Sequence, residues 1–532
     1  MVDWMHIREI FERPSWRRAS VVALAVCTAA LAWLALNEVT GRTPQWDSAF
    51  FTTAGRDLLA GKVLYRDIWD TKPPFIFFLN ALAVACGKNP TTSVWVVEHL
   101  FAAAMALAFF ATLLAVFGSR RLAVLGTLIL VFCLYRRPLL ASGGVLDGGN
   151  LTEEYAVPLV QLGVLATWLS IRGQRRRSLV WAGAAGLAFA SAALFKEPFV
   201  LAAVPWFAYM VYGSFVRDRR AGPVAAHVAA FVAGVALPVG ASLLYLVETG
   251  AWAARLDIWR WSLSFVSEAG AGVTFFGRLG SSFARATELV FGTSVLGVIA
   301  AALALLGLLS RPFLRRLHGF PVVAAAALAT NYWATSLSVR HYPHYYMQLA
   351  APWALVLACG LAFADHVVSG PDRRRLALVP IAVGAIVLLW DYAPYAELRA
   401  QMHGPFASPV RSKIGDYIAS HSAADEPIWV PSISASQIYI DAQRTSPSRF
   451  YFFLPVVFDP ALNPRAEKDL AELRAELAAR PPSFVAVRDG DVGDLRSTGI
   501  WGDIAGGYDR LEVTSDLGSG PVHLYARKKT SP

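Results

Sequence analysis

The sequence predicts an α-helical polytopic membrane protein of about eleven spans, followed by a small C-terminal α/β domain. Three observations carry this. The 532-residue chain is 56% hydrophobic and 16% charged, against about 25% charged in soluble proteins. Its apolar residues fall in runs of about 17–25, enough to cross a hydrocarbon core as helices. The loops between runs are of two kinds, which gives the chain a direction across the membrane.

One kind of loop is short and rich in arginine: GSRR (118–121), RGQRRR (172–177), VRDRR (216–220), RPFLRR (311–316) and PDRRR (371–375). These are the positive-inside signal. The net charge of +10 therefore points to membrane orientation and not to a nucleic-acid partner. The other kind carries acids, aromatics, prolines and histidines, as in WDSAFF (46–51), DTKPPF (70–75), NLTEEY (150–155) and RHYPHYY (340–346).

With 1–19 cytoplasmic, the run 20–37 is the first span; its length and the absence of a small-residue cleavage site argue against a cleaved signal peptide. The run 73–86 opens with Pro73-Pro74 and covers only about 21 Å, too short to cross. Laid at the outer interface, it leaves spans at 92–117, 121–136, 156–171, 179–195, 198–215, 223–247, 286–310, 319–338, 346–368 and 376–392. All five arginine clusters then face the cytoplasm. The loops 38–91 and 137–155 and the tail 393–532 face outward. Residues 20–392 make the transmembrane domain.

The tail has β-like runs PIWVPSI (427–433), SFVAVRD (483–489) and VHLYARK (522–528). Between them lies AEKDLAELRAELAAR (466–480), with leucines at 470, 473 and 477 in helical spacing. The four cysteines, Cys27, Cys86, Cys133 and Cys359, are isolated. They indicate neither a zinc site nor a disulfide framework. HExxH, P-loop and GxSxG motifs are absent from the sequence.

The chemistry-bearing residues lie in the outward loops. Asp47, between Trp46 and Phe50-Phe51, places a partly desolvated carboxylate near the membrane surface, which suits a general base; a solvated loop acid is the alternative. Lys72 precedes two prolines at a helix start, where free N–H groups and the helix dipole favour an anion. That makes either a phosphate site or a lysine anchoring an interfacial helix. Glu153 and Glu154, with Asp147 upstream, supply a second carboxylate or a metal ligand, or else cap their helix with Thr152 as N-cap. Lys196 and Glu197 form either an internal ion pair or part of a charged site. Arg340, His341 and His344 sit among tyrosines at one junction and are suited to holding a phosphate.

The segment WDSAFFTTAGRDLLAGKVLYRDIWDTKPPFIFFLNAL (46–82), with its D…F…G…Y.D.WD.KPP pattern, resembles the opening of the GT-C membrane glycosyltransferases. The resemblance is to the protein O-mannosyltransferase-like branch (families 39 and 83), which includes bacterial lipid A aminoarabinose and galacturonic acid transferases. GLAFASAALFKEP (186–198), HYYMQLAAPWAL (344–355) and QIYIDAQRTSPSRFYFF (437–453) are similar to the same branch.

The resemblance implies a GT-C fold with two juxtamembrane helices in the first outer loop. It implies transfer of a monosaccharide from a polyprenyl-phosphate donor to a glycolipid (lipid A), polysaccharide or protein on the outer, periplasmic side of a bacterial inner membrane. The first-loop catalytic acid maps onto Asp47, the KPP lysine onto Lys72, and the second-loop acid onto Glu153 or Glu154, with Asp147 as rival. Lys72, Lys196, Arg340, His341 and His344 are expected to bind the donor phosphate. Trp46, Tyr65, Asp70, Asp147 and Tyr345 are expected to line the substrate site. The family often has two acids at the first position. Here Ser48 follows Asp47, so a metal site built on an acidic pair does not carry over, and Mg or Mn remains an open cofactor. One base and one phosphate pocket suffice for direct, inverting displacement.

Two other classes compete: a multispanning transporter or lipid flippase, and a polyprenyl-linked oligosaccharide ligase or polymerase. Transporters place charges near the midplane on broken helices, whereas here the polar load is on one face.

The topology has a direct check. A cysteine placed near Arg120 or Arg375 should resist an impermeant thiol reagent in intact spheroplasts, and one near Gly270 or Ile500 should react. Labelling at position 120 would reverse the assignment.

Overall fold

The computed structural model describes residues 46–87, 89–134, 149–269, 272–291, 295–337, 340–367, 411–453, 465–516 and 520–528. The expected spans 20–37 and 376–392, the 371–375 arginine cluster and Asp147 lie outside these residues.

Among the described residues, five helical segments are long and apolar enough to cross a membrane: Pro90–Phe117, Thr152–Arg172, Glu197–Arg217, Ala221–Glu248 and Pro343–Val367. The protein is therefore a multi-pass membrane protein. The helices that form these and their neighbours are α3 (Pro90–Phe117), α4 (Arg120–Leu134), α5 (Thr152–Arg172), α6 (Arg175–Ala193), α7 (Val200–Asp218) and α8 (Ala221–Glu248). They continue with α9 (Trp252–Ala269), α10 (Phe275–Ala286), α11 (Val295–Leu309), α12 (Arg311–Arg316), α13 (Phe320–Ser336) and α14 (Met347–Val367). The expected span 286–310 is broken instead by a π-turn at Thr287–Phe291.

Helix α6 runs between α5 and α8 and packs closely on both. Small residues permit this: a Cβ on Gly186 would lie 2.0 Å from the Phe231 carbonyl oxygen, and one on Gly234 would lie 2.0 Å from that of Gly183. Close backbone approach through glycine is a common mode of helix association in membranes. Helix α5 carries Glu153 in its first turn and Arg172 in its last, a rise of about 30 Å. At the arginine end, Arg217 donates to the carbonyls of Ser170 and Ile171, and His227 bonds Ser178 at 2.5 Å. Acids and arginines thus occupy opposite ends of one bundle.

The expected first loop is largely helical. Helix α1 (Trp46–Leu59) and helix α2 (Phe75–Cys86) cross at Gly55, whose added Cβ would meet the Ala81 nitrogen at 2.6 Å. Helix α2 has 12 residues and spans about 18 Å, short of a crossing as the sequence predicts. Helix α1 buries residues 48–55 and Asp57, so nearly its whole circumference is covered. The region 248–285, expected as a loop, holds α9 and α10.

The C-terminal residues form a four-stranded sheet, order β1-β2-β4-β3. The strands are β1 (Ile428–Trp429), β2 (Phe484–Arg488), β3 (Tyr508–Asp516) and β4 (Pro521–Arg527). β1 is parallel to β2, and the other pairings are antiparallel. Helices α15 (Lys413–His421), α16 (Gln437–Ala442) and α17 (Ala466–Ala479) accompany the sheet. The expected strand 427–433 shrinks to two residues because Pro431 cannot donate to a ladder. Strand β3 was not foreseen: it is a charged edge strand, a common device against aggregation.

This C-terminal unit clamps α1. Arg56 donates to the carbonyls of Tyr439 (2.9 Å) and Arg444 (2.6 Å). Lys62 donates to the Ser446 carbonyl (2.9 Å) and the Tyr451 hydroxyl (2.7 Å). Buried Asp57 accepts from the hydroxyls of Tyr451 and Thr445. Burial presses the Lys62 ammonium down to about 8, with Asp57 opposing. Phe50 meets Phe452 edge-on at 5.1 Å, and the Trp69 amide donates to the Arg449 carbonyl.

Candidate active site

Asp47 lies in the first turn of α1, behind exposed Trp46, whose φ of 49° starts the helix from a left-handed residue. Lys72 reaches it from the turn before α2. Its Nζ is 3.9 Å from Asp47 Oδ2, and both side chains are about a quarter exposed (25% and 28%). Three groups hold that turn. Asp70 Oδ1 accepts from the Lys72 amide at 2.7 Å, Tyr65 donates to the Lys72 carbonyl at 2.8 Å, and Arg255 donates to the Thr71 carbonyl at 3.0 Å. The Arg255 guanidinium also lies 4.7 Å from the Tyr65 ring centroid and pairs with Glu197 at 3.1 Å.

Burial raises the Asp70 carboxyl to about 6, with Lys72 opposing. Burial works against the Lys72 charge, yet Asp47 and then Asp70 outweigh it and hold this ammonium above the usual lysine range.

A second pair lies alongside. Lys196 is ion-paired with Glu153, which is 1% exposed, and the Thr152 hydroxyl donates to Glu153 Oε2 at 2.8 Å. Lys196 Nζ sits 3.4 Å from the Tyr345 ring centroid. His344 packs edge-on to Tyr345 at 4.8 Å and stacks on exposed Tyr342. The Lys72 charge interacts with Tyr345 and Glu153, and His344 lies in the fields of Glu153, Lys196, Asp47 and Lys72. Asp47, Lys72, Glu153, Lys196, His344 and Tyr345 are thus one cluster, drawn from five separate stretches of chain.

The structure places several of the expected residues in other contacts. Lys196 pairs with Glu153 and not with its neighbour Glu197, because Glu197 turns toward Arg255. Glu154 Oε2 accepts from the Leu151 amide and closes its own helix start; Thr152 is the first helical residue and not the N-cap. Tyr65 and Asp70 are buried (0% and 5%) and hold the Lys72 backbone instead of lining a cleft. Arg340 and His341 turn toward α9 and α10: the Arg340 guanidinium lies 3.6 Å over Phe265, while His341 bonds Ser281 (3.0 Å) and Tyr346 (2.7 Å). The first amide of α2, on Phe75, bonds the Leu194 carbonyl, so this N–H is not open to an anion. Arg255 was missed because a lone arginine between tryptophans carries no motif.

Among the described residues, no group of three or more His, Cys, Asp or Glu side chains could hold a metal ion. The carboxylates of Asp47 and Glu153 each face a lysine. Paired in this way, these two carboxylates do not fit a divalent cation.

No protein-family model and no curated protein sequence matches this one. Solved structures are similar in fold. ArnT from Cupriavidus metallidurans bound to undecaprenyl phosphate matches with a TM-score of 0.55 at 13% identity, over 96% of this chain and 99% of that one. The Archaeoglobus fulgidus oligosaccharyltransferase tethered to an acceptor peptide matches with a TM-score of 0.57 at 13% identity, over 98% of this chain and 75% of that one. AglB from the same organism, in complex with an inhibitory peptide and a dolichol-phosphate, matches at 0.53 and 14%, over 95% and 74%. The chain has the fold of the GT-C membrane glycosyltransferases.

The buried pair makes a stability prediction. Lys196→Met should destabilise the protein by about 3–5 kcal/mol, because it strands the Glu153 charge. Glu153→Gln in the same chain should recover most of the loss. Thermal unfolding in detergent reads both, and a Lys196→Met variant as stable as wild type would refute the pairing.

Proposed function

We propose that this protein transfers a monosaccharide from a polyprenyl-phosphate-sugar donor to an acceptor on the periplasmic side of the bacterial inner membrane. The acceptor is a glycolipid such as lipid A, a polysaccharide or a protein. The N-terminus is then cytoplasmic and the C-terminal unit periplasmic. The observation that carries the reading is the Asp47–Lys72 pair: a carboxylate and an ammonium 3.9 Å apart and both partly exposed, within a GT-C fold. The undecaprenyl phosphate and dolichol-phosphate bound to ArnT and AglB support a lipid-phosphate donor.

Asp47 takes the proton of the acceptor hydroxyl as its oxygen attacks the anomeric carbon. The bond from that carbon to the phosphate oxygen breaks, and polyprenyl phosphate leaves with the electron pair. Configuration at the anomeric carbon inverts. Lys72 and Lys196 stabilise the charge that grows on the leaving phosphate. An arriving phosphate competes with Asp47 for Lys72, and Asp47 is freed to act as base. His344 and Tyr345 border the same charges. Glu153 keeps Lys196 charged and in place; it would become the base only if Asp47 proved dispensable.

Asp47→Asn preserves size and removes the base. Turnover of radiolabelled donor should fall by about 10²–10⁴-fold, with expression and donor binding near wild type. Full activity would remove Asp47 from the mechanism.

Lys72→Ala should weaken use of the donor by about ten- to a hundredfold, the worth of one charge-assisted phosphate contact. Rates at subsaturating donor measure it, and unchanged rates reject the role. Lys72→Arg should rescue poorly, because the guanidinium has a different shape.

A further inference from the structure

Beneath the charged cluster, two buried side-chain amides face each other. Asn80 is 1% exposed and Asn150 is 0% exposed. They exchange reciprocal hydrogen bonds: Asn150 Nδ2 donates to Asn80 Oδ1 at 2.8 Å, and Asn80 Nδ2 donates to Asn150 Oδ1 at 3.0 Å. The remaining capacity is also used. Asn80 Nδ2 donates to the Ile76 carbonyl (2.8 Å), and Asn150 Nδ2 to the Ser48 carbonyl (3.2 Å). The Thr52 hydroxyl donates to Asn80 Oδ1 (3.2 Å), and the Tyr155 hydroxyl to Asn150 Oδ1 (2.8 Å). The Asn150 backbone N–H donates to the Glu98 carboxylate on α3. A fully satisfied buried network rigidifies what it joins, and a partly satisfied one is costly.

What it joins gives it its meaning. Ser48 follows Asp47 in the sequence. Asn80 sits on α2, which the Lys72-Pro73-Pro74 turn leads into. Asn150 is three residues before Glu153. Asn150 also has φ of 59°, a left-handed conformation that asparagine and glycine tolerate best. The backbone at this point is bent to bring the amide inward.

We propose that the Asn80–Asn150 amide pair is a positioning device that fixes the Asp47, Lys72 and Glu153 segments relative to one another. Neither asparagine touches substrate. The pair acts through the two helices and the 149–152 turn, and it sets how near Lys72 stands to Asp47. Its meaning for catalysis rests on the transferase reading, but the positioning itself can be tested without a substrate.

The test is the acylation rate of Lys72 by a small amine-reactive ester at pH 9, read by mass spectrometry on the detergent-purified full chain. Exposed Lys468 on α17 is the internal reference. In wild type, Lys72 should react more slowly than Lys468, because Asp47 and Asp70 keep it protonated. Asn80→Leu removes one amide at similar size, and Asn150→Gly removes the other while tolerating the left-handed backbone. Each should raise the Lys72 rate relative to Lys468 by about tenfold, a pKa change of about one unit, and should lower the thermal midpoint, because the amide left behind is buried without its partner. The double variant should do no more than either single one. Should Asn80→Leu fail to fold, Asn80→Ser makes the same comparison. A Lys72 rate that stays at its wild-type value in the folded variants overturns the proposal, and so do effects that multiply in the double variant. If the rates shift as expected while the wild-type protein transfers no sugar, the transferase reading fails and the positioning pair stands.

Discussion

The buried ion pair between Glu153 and Lys196 is the constraint around which the helical bundle is arranged at one end. An ionised carboxylate that is 1% exposed is tolerated only with a counter-charge in contact and its other oxygen bonded. Lys196 supplies the first and Thr152 the second. Lys196 then needs cover of its own, and Tyr345 lays its ring against the ammonium. One buried charge thus ties the start of α5 to the junction before α7 and to the turn before α14. The same requirement recurs nearby at buried Asp57, which takes Arg56, Tyr451 and Thr445 as partners. Glu153 takes its counter-charge, and Asp57 its two hydroxyl donors, from distant stretches of chain, so satisfying these charges also fixes topology. Within the cluster, only the Asp47–Lys72 pair is left long and partly open.

The site is not the property of the transmembrane helices alone. Helix α1 is pressed between α2 and the C-terminal unit. Gly55 allows backbone contact on one side, and Phe50 is enclosed by Phe77, Tyr451 and Phe452 on others. Arg56, Asp57 and Lys62 fasten the far end of the helix to residues 439–451. A helix held along its length keeps the carboxylate in its first turn in a fixed place. The aromatic run Phe450–Phe453 therefore belongs to the frame of the site, although it lies some 400 residues from Asp47.

Much of this frame was legible in the sequence. The length of the apolar run was enough to make 73–86 a short helix, and Lys72-Pro73-Pro74 placed a lysine before its start, beside Asp47 in the structure. Periodicity did not reveal helix α1, and only the family resemblance implied a second helix in this loop, because burial on nearly every side removes the polar face that a 3.6-residue period needs. The choice of partner was illegible for a different reason. Lys196 and Glu197 are adjacent, and nothing local says that one turns to Glu153 and the other to Arg255. Tyr65 and Asp70 look like site residues by type, yet burial makes them supports for a backbone turn. Asn80 and Asn150 carry no motif at all, since only the fold brings residues 70 positions apart into contact.

The charge balance of the cluster suits the proposed reaction in a way that its individual residues do not reveal. The two ion pairs bring together two carboxylates and two ammonium groups, which sum to zero. A sugar phosphodiester brings one negative charge. Transfer turns it into a phosphate monoester with one more negative charge, and it releases one proton from the acceptor hydroxyl. If that proton stays on Asp47, the total charge inside the site is the same before and after the sugar moves. The step then requires only a local redistribution: Lys72 gives up Asp47, which becomes neutral, and follows the phosphate, which gains charge. No ion need enter or leave a poorly solvated space while the bond breaks, and moving an uncompensated charge through such a space would be the dominant cost. A positioned lysine shared between a base and a leaving group achieves this only if its distance to both is set in advance, which is the role proposed for the framework beneath it.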